Sequence, residues 1–206
     1  LVIPIAGAGT RLRPATYTVP KEMLRLVDKP IIYYLLLEAY SAGIRHVVCI
    51  VHKDNDFTKK TFTGPRAQHL LSEFPGLLLT FIETDKREGD GQALLLAEEA
   101  VGERPFAVTM GDLLTLPGTS ILGELVAIYQ KRGEPVISVE EIPQEKTMQY
   151  GIIDPENRRG NIYRMRGIVE KPQPSEAFSN LAMTGKYVLL PEIFSYLRKL
   201  VGGPGE

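Results

Sequence analysis

The chain opens with Leu1-Val2-Ile3-Pro4-Ile5-Ala6-Gly7-Ala8-Gly9-Thr10-Arg11-Leu12-Arg13, and this stretch decides the fold. Its first six residues form an apolar run that ends at glycines, which is typical of a buried strand. Residues 7–20 are rich in Gly, Pro and Thr and predict a loop. In an open α/β sheet, ligands lie beyond the carboxyl ends of the strands. The opening stretch therefore predicts a buried strand followed by a ligand-binding loop.

Strand and helix patterns then alternate along most of the chain. The sequence predicts strands over 46–51, 77–82, 105–110 and 136–139, helices over 31–42, 92–100 and 121–132, and a broken helix within 53–72. This alternation predicts an α/β fold with a doubly wound, mostly parallel, Rossmann-like sheet and helices on both faces. After Tyr150 the rhythm changes to strands over 151–154, 162–170 and 182–190. These last strands predict a second lobe with a mixed sheet.

The composition is that of an ordinary globular protein. The chain has 206 residues, 44% of them hydrophobic and 24% charged, which suits one α/β domain. Its formal net charge is −1, from 24 basic and 25 acidic residues, so a nucleic-acid-binding surface is not indicated. No apolar run approaches the ~18 residues of a membrane span, and the single Cys49 excludes an internal disulfide framework. Because the chain starts within a strand and ends at Gly-rich residues 202–206, we expect a fragment of a longer sequence.

The glycine-rich loop over residues 7–13 is a candidate phosphate site. Glycines at this place let backbone N–H groups approach phosphate oxygens closely. The loop matches neither a dinucleotide fingerprint, since Leu12 stands where the third glycine is required, nor a Walker A motif. Arg11 and Lys21 flank it and could bind phosphate as a bidentate fork and a point charge. The alternatives are a tight turn that needs glycine, two solvated cations, or a Lys21–Glu22 pair.

Two further acidic motifs fall at predicted strand ends. Asp112 follows the fourth parallel strand, where a carboxylate can hold Mg²⁺ or, alternatively, can stabilise a turn. Glu170-Lys171-Pro172 closes a later strand, and its charged side chains could line a cleft or form a surface ion pair. The three histidines lack the spacing of metal ligands, and Cys49 is centred in an apolar strand as a small buried residue.

Taken together, these motifs resemble the sugar-1-phosphate nucleotidylyltransferases over nearly the whole chain. The sequence of residues 19–30 is most similar to that of the bacterial members that act on UTP and glucose 1-phosphate. The matching motifs, in order, are Ile5-Ala6-Gly7-Ala8-Gly9-Thr10-Arg11-Leu12-Arg13-Pro14, Val19-Pro20-Lys21-Glu22-Met23-Leu24, Val27-Asp28-Lys29-Pro30, Gly111-Asp112, Tyr150-Gly151, Val169-Glu170-Lys171-Pro172 and Asn180-Leu181-Ala182.

The resemblance implies a fold and a set of site residues. The implied fold is that of nucleotide-diphospho-sugar transferases, which is similar to glycosyltransferase A. It forms one nucleotidyltransferase domain, with a nucleotide-binding part over 1–140 and a sugar-phosphate-binding part over 141–206. The implied catalytic residues are Arg11, Lys21, Asp112 and Lys171, with Asp112 as the ligand of Mg²⁺. The implied nucleotide-binding residues are Ala6, Gly7, Ala8, Gly9, Thr10, Arg11, Lys21, Thr84 and Gly89, and the implied sugar-phosphate-binding residues are Gly151, Glu170 and Lys171.

The resemblance also implies an activity and its setting. UTP and glucose 1-phosphate would give UDP-glucose and pyrophosphate by in-line displacement, assisted by Mg²⁺. Positioning and electrostatics would carry such a reaction, because the attacking phosphate is already nucleophilic at neutral pH. The implied protein is cytoplasmic and homo-oligomeric, a dimer or tetramer, and its partners are small substrates rather than nucleic acid or membrane.

One departure from the family motif leaves the choice of base open. Close relatives carry a Gln five residues before the glycine that matches Gly89, whereas Thr84 stands there in this chain. A Thr cannot present the paired donor and acceptor of an amide. The alternatives are therefore an enzyme that uses dTTP or another nucleotide and, in a different class, a non-catalytic regulatory or scaffold homologue. Such scaffolds tend to lose the reactive Arg, Lys or Asp, and this chain retains Arg11, Lys21, Asp112 and Lys171.

Overall fold

The computed structural model describes residues 1–65, 67–87, 89–116 and 118–201. The strands are β1 Val2–Ile5, β2 Arg25–Leu26, β3 Lys29–Pro30, β4 His46–His52, β5 Leu78–Thr84, β6 Phe106–Thr109, β7 Val136–Glu141, β8 Gly151–Arg159, β9 Ile162–Glu170 and β10 Leu181–Leu189. The helices are α1 Ile31–Ser41, α2 Asp56–Thr63, α3 Ala67–Leu71, α4 Asp90–Leu95, α5 Glu98–Val101, α6 Ile121–Arg132 and α7 Ile193–Val201, and 3₁₀ turns cover Thr10–Leu12, Ala15–Tyr17, Lys21–Met23 and Gln144–Gln149. Residues 202–206, where we expect the sequence to be cut, lie outside the described residues.

The chain divides into two compact units. The first unit comprises residues 1–136 and the chain from residue 187 onward, and the second comprises residues 137–186. The family resemblance implies one nucleotidyltransferase domain with parts over 1–140 and 141–206, and in the structure the chain returns to the first unit at residue 187. The return occurs because Phe194 and Leu197 of α7 pack in the same apolar cluster as Val2 and Phe106.

A parallel sheet forms the centre of the first unit. β4 and β6 flank β1, and β5 lies beyond β4, all of them parallel. Val2, the first residue of β1, aligns with Val48 of β4 and Val108 of β6, so β1 lies between these two strands. The predicted doubly wound, mostly parallel sheet is confirmed. Its strands end at one edge, and the loops that follow β1 and β6 carry the predicted phosphate and metal residues.

Apolar clusters cover both faces of this sheet. Side chains alternate between the two faces of a strand, so Ile3 and Ile5 join a cluster with α1 and α6, whereas Val2 joins one with α4, α5 and α7. The helices therefore lie on both faces, as predicted. Cys49 is fully buried in the first cluster, and burial raises its pKa to about 12. The thiol is accordingly neutral at physiological pH, and its predicted role as a small core residue is confirmed.

The structure corrects one local prediction and reveals one hairpin that the sequence did not predict. The helix predicted over 92–100 is two short helices, α4 and α5, separated by a turn at Leu96. Residues on both sides of the break are buried in one apolar cluster, so the periodic pattern continues through the turn. The hairpin of β2 and β3 was not predicted, because its turn residue Val27 adopts a φ of 63° without being glycine. The broken helix predicted within 53–72 is confirmed as α2 and α3.

The second unit is built on antiparallel strands. β8 lies between β10 and β9, antiparallel to both, and β7 pairs with β10. Gly151 of β8 aligns with Glu170 of β9, which brings together two of the predicted sugar-phosphate residues. Ile142, Ile152 and Ala182 form the small buried core of this unit. None of the helices among the residues that the structure describes is long and apolar enough to cross a lipid bilayer.

Candidate active site

The glycine-rich loop after β1 leaves several backbone donors free. Within the described residues, the N–H groups of Gly7, Ala8 and Gly9 make no hydrogen bond, and Gly7 and Ala8 are exposed. The loop is held instead through the carbonyl of Gly9, which accepts a hydrogen bond from the Thr16 hydroxyl at 2.7 Å. Free N–H groups on a glycine loop form a concave site that favours anions. The loop thus presents the free donors on which the predicted phosphate site depends.

Gly9 is required at its position by both conformation and space. Its φ is +62°, and a Cβ there would lie 3.1 Å from Thr16 Cγ2 and 3.4 Å from Lys21 Cβ. An L-residue pays a conformational cost in this left-handed region, and the contacts leave little room for a side chain. The loop, Thr16 and the backbone around Lys21 therefore pack directly against one another.

Lys21 and Asp112 form the central charged pair of the first unit. Lys21 Nζ lies 3.1 Å from Asp112 Oδ2, and the two side chains are 18% and 41% exposed. The alternative pairing of Lys21 with Glu22 is wrong, because Glu22 points into the interior and is 1% exposed. An accessible cation and an accessible anion thus meet beside the glycine loop.

A close approach of two strands places Asp112. A Cβ on Gly111 would lie only 2.3 Å from Cγ2 of Ile5, the last residue of β1. Only glycine fits between these segments, so the chain after β6 passes tightly against the end of β1. The Gly111-Asp112 motif is therefore explained by packing at Gly111 and by the charge of Asp112.

The remaining predicted nucleotide residues lie on the same unit. Ala6 is buried at the end of β1, and Thr10 and Arg11 lie exposed in the 3₁₀ turn that follows the loop. No ion pair or hydrogen bond of the Arg11 side chain is found within the described chain, so its guanidinium is available to a ligand. Thr84 ends β5, where its hydroxyl accepts a hydrogen bond from the N–H of Lys86 at 3.1 Å. Gly89 precedes α4 with a φ of 90°.

A buried polar cluster behind Lys21 was missed by the sequence analysis. Glu22 Oε1 accepts hydrogen bonds from Asn55 Nδ2 and Thr58 Oγ1, each at 2.7 Å. Thr58 is fully buried, and both partners lie at the start of α2. The only sequence signal was an acidic residue next to Lys21, which does not reveal partners in a distant helix.

The sugar-phosphate residues predicted from the family motifs meet in the second unit. A Cβ on Gly151 would lie 3.1 Å from Glu170 Oε2 and 2.8 Å from Met183 Cε, so glycine leaves room for the Glu170 carboxylate. Lys171 Nζ lies 3.2 Å from Glu170 Oε1, and both side chains are more than half exposed. Lys171 has a φ of 48°, and its N–H donates to the carbonyl of Tyr150 at 3.0 Å. Such strain in a non-glycine residue is found at sites where the chain is held for function.

Thr147 clamps the loop that follows Lys171. Its side chain is fully buried, and its hydroxyl lies 3.0 Å from the carbonyl of Gln144 and 3.2 Å from that of Pro172. The sequence analysis did not single out this residue, because an isolated Thr in a polar stretch carries no signal of burial.

The donors around Asp112 suit a cation that is carried by phosphates. One carboxylate oxygen of Asp112 contacts Lys21, and the other has no partner in the described part of the chain. No group of three or more His, Cys, Asp or Glu that could hold a metal occurs among the described residues. Mg²⁺ is usually bound through one or two carboxylates together with substrate phosphates and water. The residues present therefore fit Mg²⁺ in a ternary arrangement better than a cation held by protein alone.

Comparison with known proteins finds nucleotidyl transferases. A family model described as nucleotidyl transferase matches residues 2–204. The UTP–glucose-1-phosphate uridylyltransferase of Staphylococcus epidermidis is 37% identical over 219 residues, which covers 100% of this chain and 76% of the relative.

Solved structures of similar proteins share the architecture. An apo UDP-glucose pyrophosphorylase superposes with a TM-score of 0.90 at 32% identity, over 100% of this chain and 80% of that one. A UDP-glucose pyrophosphorylase complexed with UDP-glucose gives a TM-score of 0.85 at 33% identity, over 96% and 78% of the two chains.

The α/β fold with its parallel sheet, taken together with the uridylyltransferase and pyrophosphorylase relatives, defines an α/β enzyme of the group-transfer class. Within that class, the chain belongs to the nucleotidyl transferase family.

Proposed function

We propose that the protein transfers UMP from UTP to glucose 1-phosphate, giving UDP-glucose and pyrophosphate. The observation that carries this proposal is the Lys21–Asp112 pair, 3.1 Å apart, beside a glycine loop with free N–H groups. The names of its relatives support these substrates, since they include a UTP–glucose-1-phosphate uridylyltransferase and a pyrophosphorylase complexed with UDP-glucose.

The proposed reaction is an in-line displacement at the α-phosphorus of UTP. A phosphate oxygen of glucose 1-phosphate forms the new P–O bond, the bond between the α-phosphorus and the bridging oxygen breaks, and pyrophosphate leaves with that electron pair. The attacking phosphate is ionised at neutral pH, so no side chain has to remove a proton. The enzyme has to hold two anions together and to stabilise the charge of the leaving group.

Residues of the first unit suit the triphosphate. The free N–H groups of the glycine loop would bind phosphate oxygens, and the guanidinium of Arg11 would bind the departing pyrophosphate as a bidentate donor. Lys21 would contact the reacting phosphates once the triphosphate competes with Asp112 for its ammonium group. Asp112 would hold Mg²⁺, which screens the phosphate charges when it is bound.

Residues of the second unit suit the sugar phosphate. The Glu170 carboxylate, given space by Gly151, would accept hydrogen bonds from sugar hydroxyls. The Lys171 ammonium would bind the phosphate of glucose 1-phosphate. The ion pair between these two side chains is exposed and therefore contributes little to stability, so a substrate can replace it at small cost.

A second candidate substrate is supported by Thr84. Its hydroxyl already accepts the N–H of Lys86, which leaves one O–H donor for a base. Uracil and thymine present the same carbonyls and N3–H, so a single donor at this place would not separate UTP from dTTP. The alternative function is therefore thymidylyl transfer, or transfer from another nucleotide, to the same sugar phosphate.

The test is pyrophosphate release measured over a panel of nucleotides and sugar 1-phosphates. We expect turnover with UTP and glucose 1-phosphate to exceed turnover with CTP, ATP or GTP by at least about 100-fold, the discrimination that a built hydrogen-bonding site provides. Comparable rates with dTTP would establish the alternative. An absence of turnover with every pair, from a folded protein with Mg²⁺ present, would refute both.

We also propose a homo-oligomer in the cytoplasm, a dimer or tetramer. The support is the resemblance to bacterial sugar-phosphate enzymes. Light scattering of the purified protein at several concentrations tests the oligomer, and a mass equal to one chain throughout would contradict it.

A further inference from the structure

Glu22 is a buried charge that the proposed reaction does not use. Its side chain is 1% exposed, and no cation lies within ion-pair distance of it among the described residues. Burying an unpaired carboxylate is costly unless hydrogen bonds compensate it. The compensation comes from Asn55 Nδ2 and Thr58 Oγ1, both 2.7 Å from Oε1. A buried charge held by two short hydrogen bonds requires an explanation beyond packing.

The two donors fix the first turn of α2 to Glu22. Asn55 caps this helix, because its Oδ1 accepts the N–H of Thr58 at 3.4 Å. The start of a helix carries a partial positive charge, which favours an anion placed beside it. Glu22 is therefore stabilised where it lies, and any displacement of its carboxylate would break bonds to both donors at once.

The anchored residue shares one short turn with Lys21. The 3₁₀ turn Lys21–Met23 is closed by the N–H of Met23 on the carbonyl of Pro20 at 2.9 Å. Glu22 and Met23 point into the interior, whereas Lys21 reaches outward to Asp112. Because the backbone of adjacent residues in such a turn is coupled, the bonds of Glu22 fix the position of the Lys21 Cα and the direction of its Cα–Cβ bond, from which the side chain reaches Asp112.

We propose that Glu22, Asn55 and Thr58 form a positioning unit that aims Lys21 at the reacting phosphates. Among the described residues, none of the three shares a hydrogen bond or ion pair with Lys21 Nζ or Asp112, so they act through the turn. The inference rests on the proposed role of Lys21 in the reaction. A misplacement of about 1 Å can cost about 100-fold in rate, so loss of one anchor should lower kcat measurably.

The first variant is Thr58→Val, which removes the hydroxyl and keeps the volume. We expect kcat to fall about 10-fold, less than the about 100-fold cost of a full 1 Å misplacement. The KM values for UTP and glucose 1-phosphate should change by less than about 2-fold, because Thr58 is fully buried and is not among the residues proposed to bind substrate. Thr58→Ser restores the hydroxyl and should return kcat to near the native value. Thr63→Val is the matched control, because Thr63 lies on the same helix, is exposed, and its hydroxyl donates to the carbonyl of Lys59 within that helix.

A double-mutant cycle with Lys21→Ala separates positioning from general support of the fold. If Thr58 acts through Lys21, Thr58→Val should lower kcat about 10-fold in the native background and not at all in the Lys21→Ala background. An equal fall in both backgrounds would overturn the proposal, as would a native kcat for Thr58→Val. Should Thr58→Val fail to fold, Glu22→Gln keeps the volume, and the same cycle applies to it.

The cycle also distinguishes failure of the inference from failure of the proposed function. If Lys21→Ala is strongly impaired and Thr58→Val is not, Lys21 is catalytic and the positioning unit is refuted. If Lys21→Ala turns over at the native rate, the proposed role of Lys21 is refuted, and the positioning inference falls with it.

Discussion

Lys21, which follows β1, and Asp112, which follows β6, meet at a distance of 3.1 Å between Nζ and Oδ2. Their loops leave the sheet side by side because β1 and β6 are parallel neighbours. The pair brings a cation and an anion into one small volume beside unpaired backbone donors. Each charge is partly exposed and can exchange its partner for a ligand.

Replacing Asp112 should separate activity from stability. For Asp112→Asn we expect kcat to fall at least about 100-fold, because the carboxylate that would hold Mg²⁺ is lost. The free energy of unfolding should change by less than about 1 kcal/mol, since a partly exposed ion pair contributes no more. Steady-state kinetics and urea unfolding measure the two effects. Near-native activity in this variant would contradict the metal role.

Replacing Gly9 by alanine should lower kcat in addition to the loss of stability that backbone strain causes. Gly9→Ala brings a Cβ to 3.1 Å from Thr16 and 3.4 Å from Lys21, at a φ of +62°. Gly102→Ala is the matched control, since its φ is +61° and no atom of the described residues lies within 4 Å of the new Cβ. Both variants should lose about 1–2 kcal/mol of stability, but only Gly9→Ala should also lower kcat. An equal kcat for the two variants would show that the contacts do not matter.

Removal of the Lys171 ammonium group should weaken use of the sugar phosphate selectively. In Lys171→Ala we expect the KM for glucose 1-phosphate to rise about 10- to 100-fold, the effect of one lost charged hydrogen bond, with the KM for UTP nearly unchanged. Lys146→Ala, also exposed in the second unit, serves as the control. An unchanged KM for glucose 1-phosphate would count against the assignment of Lys171.

The hairpin turn at Val27 should tolerate, and benefit from, a residue suited to its conformation. Val27 is 92% exposed and has a φ of 63°, which is unfavourable for a β-branched side chain. Val27→Asn should stabilise the protein by about 1 kcal/mol, with a rise in Tm of about 2–4 °C. Val27→Ala should give a smaller gain in stability. It removes the β-branch of valine but lacks the polar side chain with which asparagine favours a positive φ. A lower Tm for Val27→Asn would show that the strain is compensated elsewhere.

The pair of Tyr33 and Glu73 should make stability depend on pH. The hydroxyl of Tyr33 donates to Glu73 and holds the pKa of that carboxyl below its usual value, while burial and the carboxylate raise the pKa of Tyr33 to about 12. The contribution of Glu73 is full above pH 4.5, its ordinary pKa, and is lost as the pH falls through its lowered value. The contribution of Tyr33 is lost as the pH rises from about 10 through about 12.

Tyr33→Phe tests this pair. The variant should be less stable than the native protein at pH 7, and the difference should shrink in acid below the lowered pKa of Glu73. Tyr34→Phe is the control, because Tyr34 donates to the carbonyl of Leu26, which does not titrate. Urea unfolding at pH 3, 5 and 7 measures both. A Tyr33→Phe difference that stays constant over this range would contradict the coupling.

Sequence reasoning succeeded where neighbouring residues carry the signal. The apolar run of β1, its glycine loop and the Gly111-Asp112 motif are local patterns, and the parallel sheet follows from their repetition. The partner of Lys21 could not be predicted, because the sequence offered Glu22 as a neighbour, whereas the fold turned that residue toward Asn55 and Thr58. Burial is a tertiary property, and it decided this case.

Two further features, the break between α4 and α5 and the conformation of Val27, were also not predictable from local sequence patterns. The break between α4 and α5 left no trace in the pattern, since residues before and after it face one core. A β-branched residue such as Val27 disfavours a positive φ, and the pairing of β2 and β3 imposes that conformation on it. In both cases the packing or the strand pairing of the folded chain decides the local conformation, and a single sequence does not display it.

The return of the chain to the first unit at residue 187 has a consequence for how this protein can be divided. Residues 137–186 form an insertion, entered and left through β7 and β10, and a single cut cannot release either unit intact. A fragment that stopped at residue 186 would lack Phe194, which stacks on Phe106 with ring centroids 5.2 Å apart. A chimaera that exchanges residues 137–186 with those of a relative therefore needs two junctions, one near residue 137 and one near residue 186. Helix α7 has to come from the same protein as the rest of the first unit.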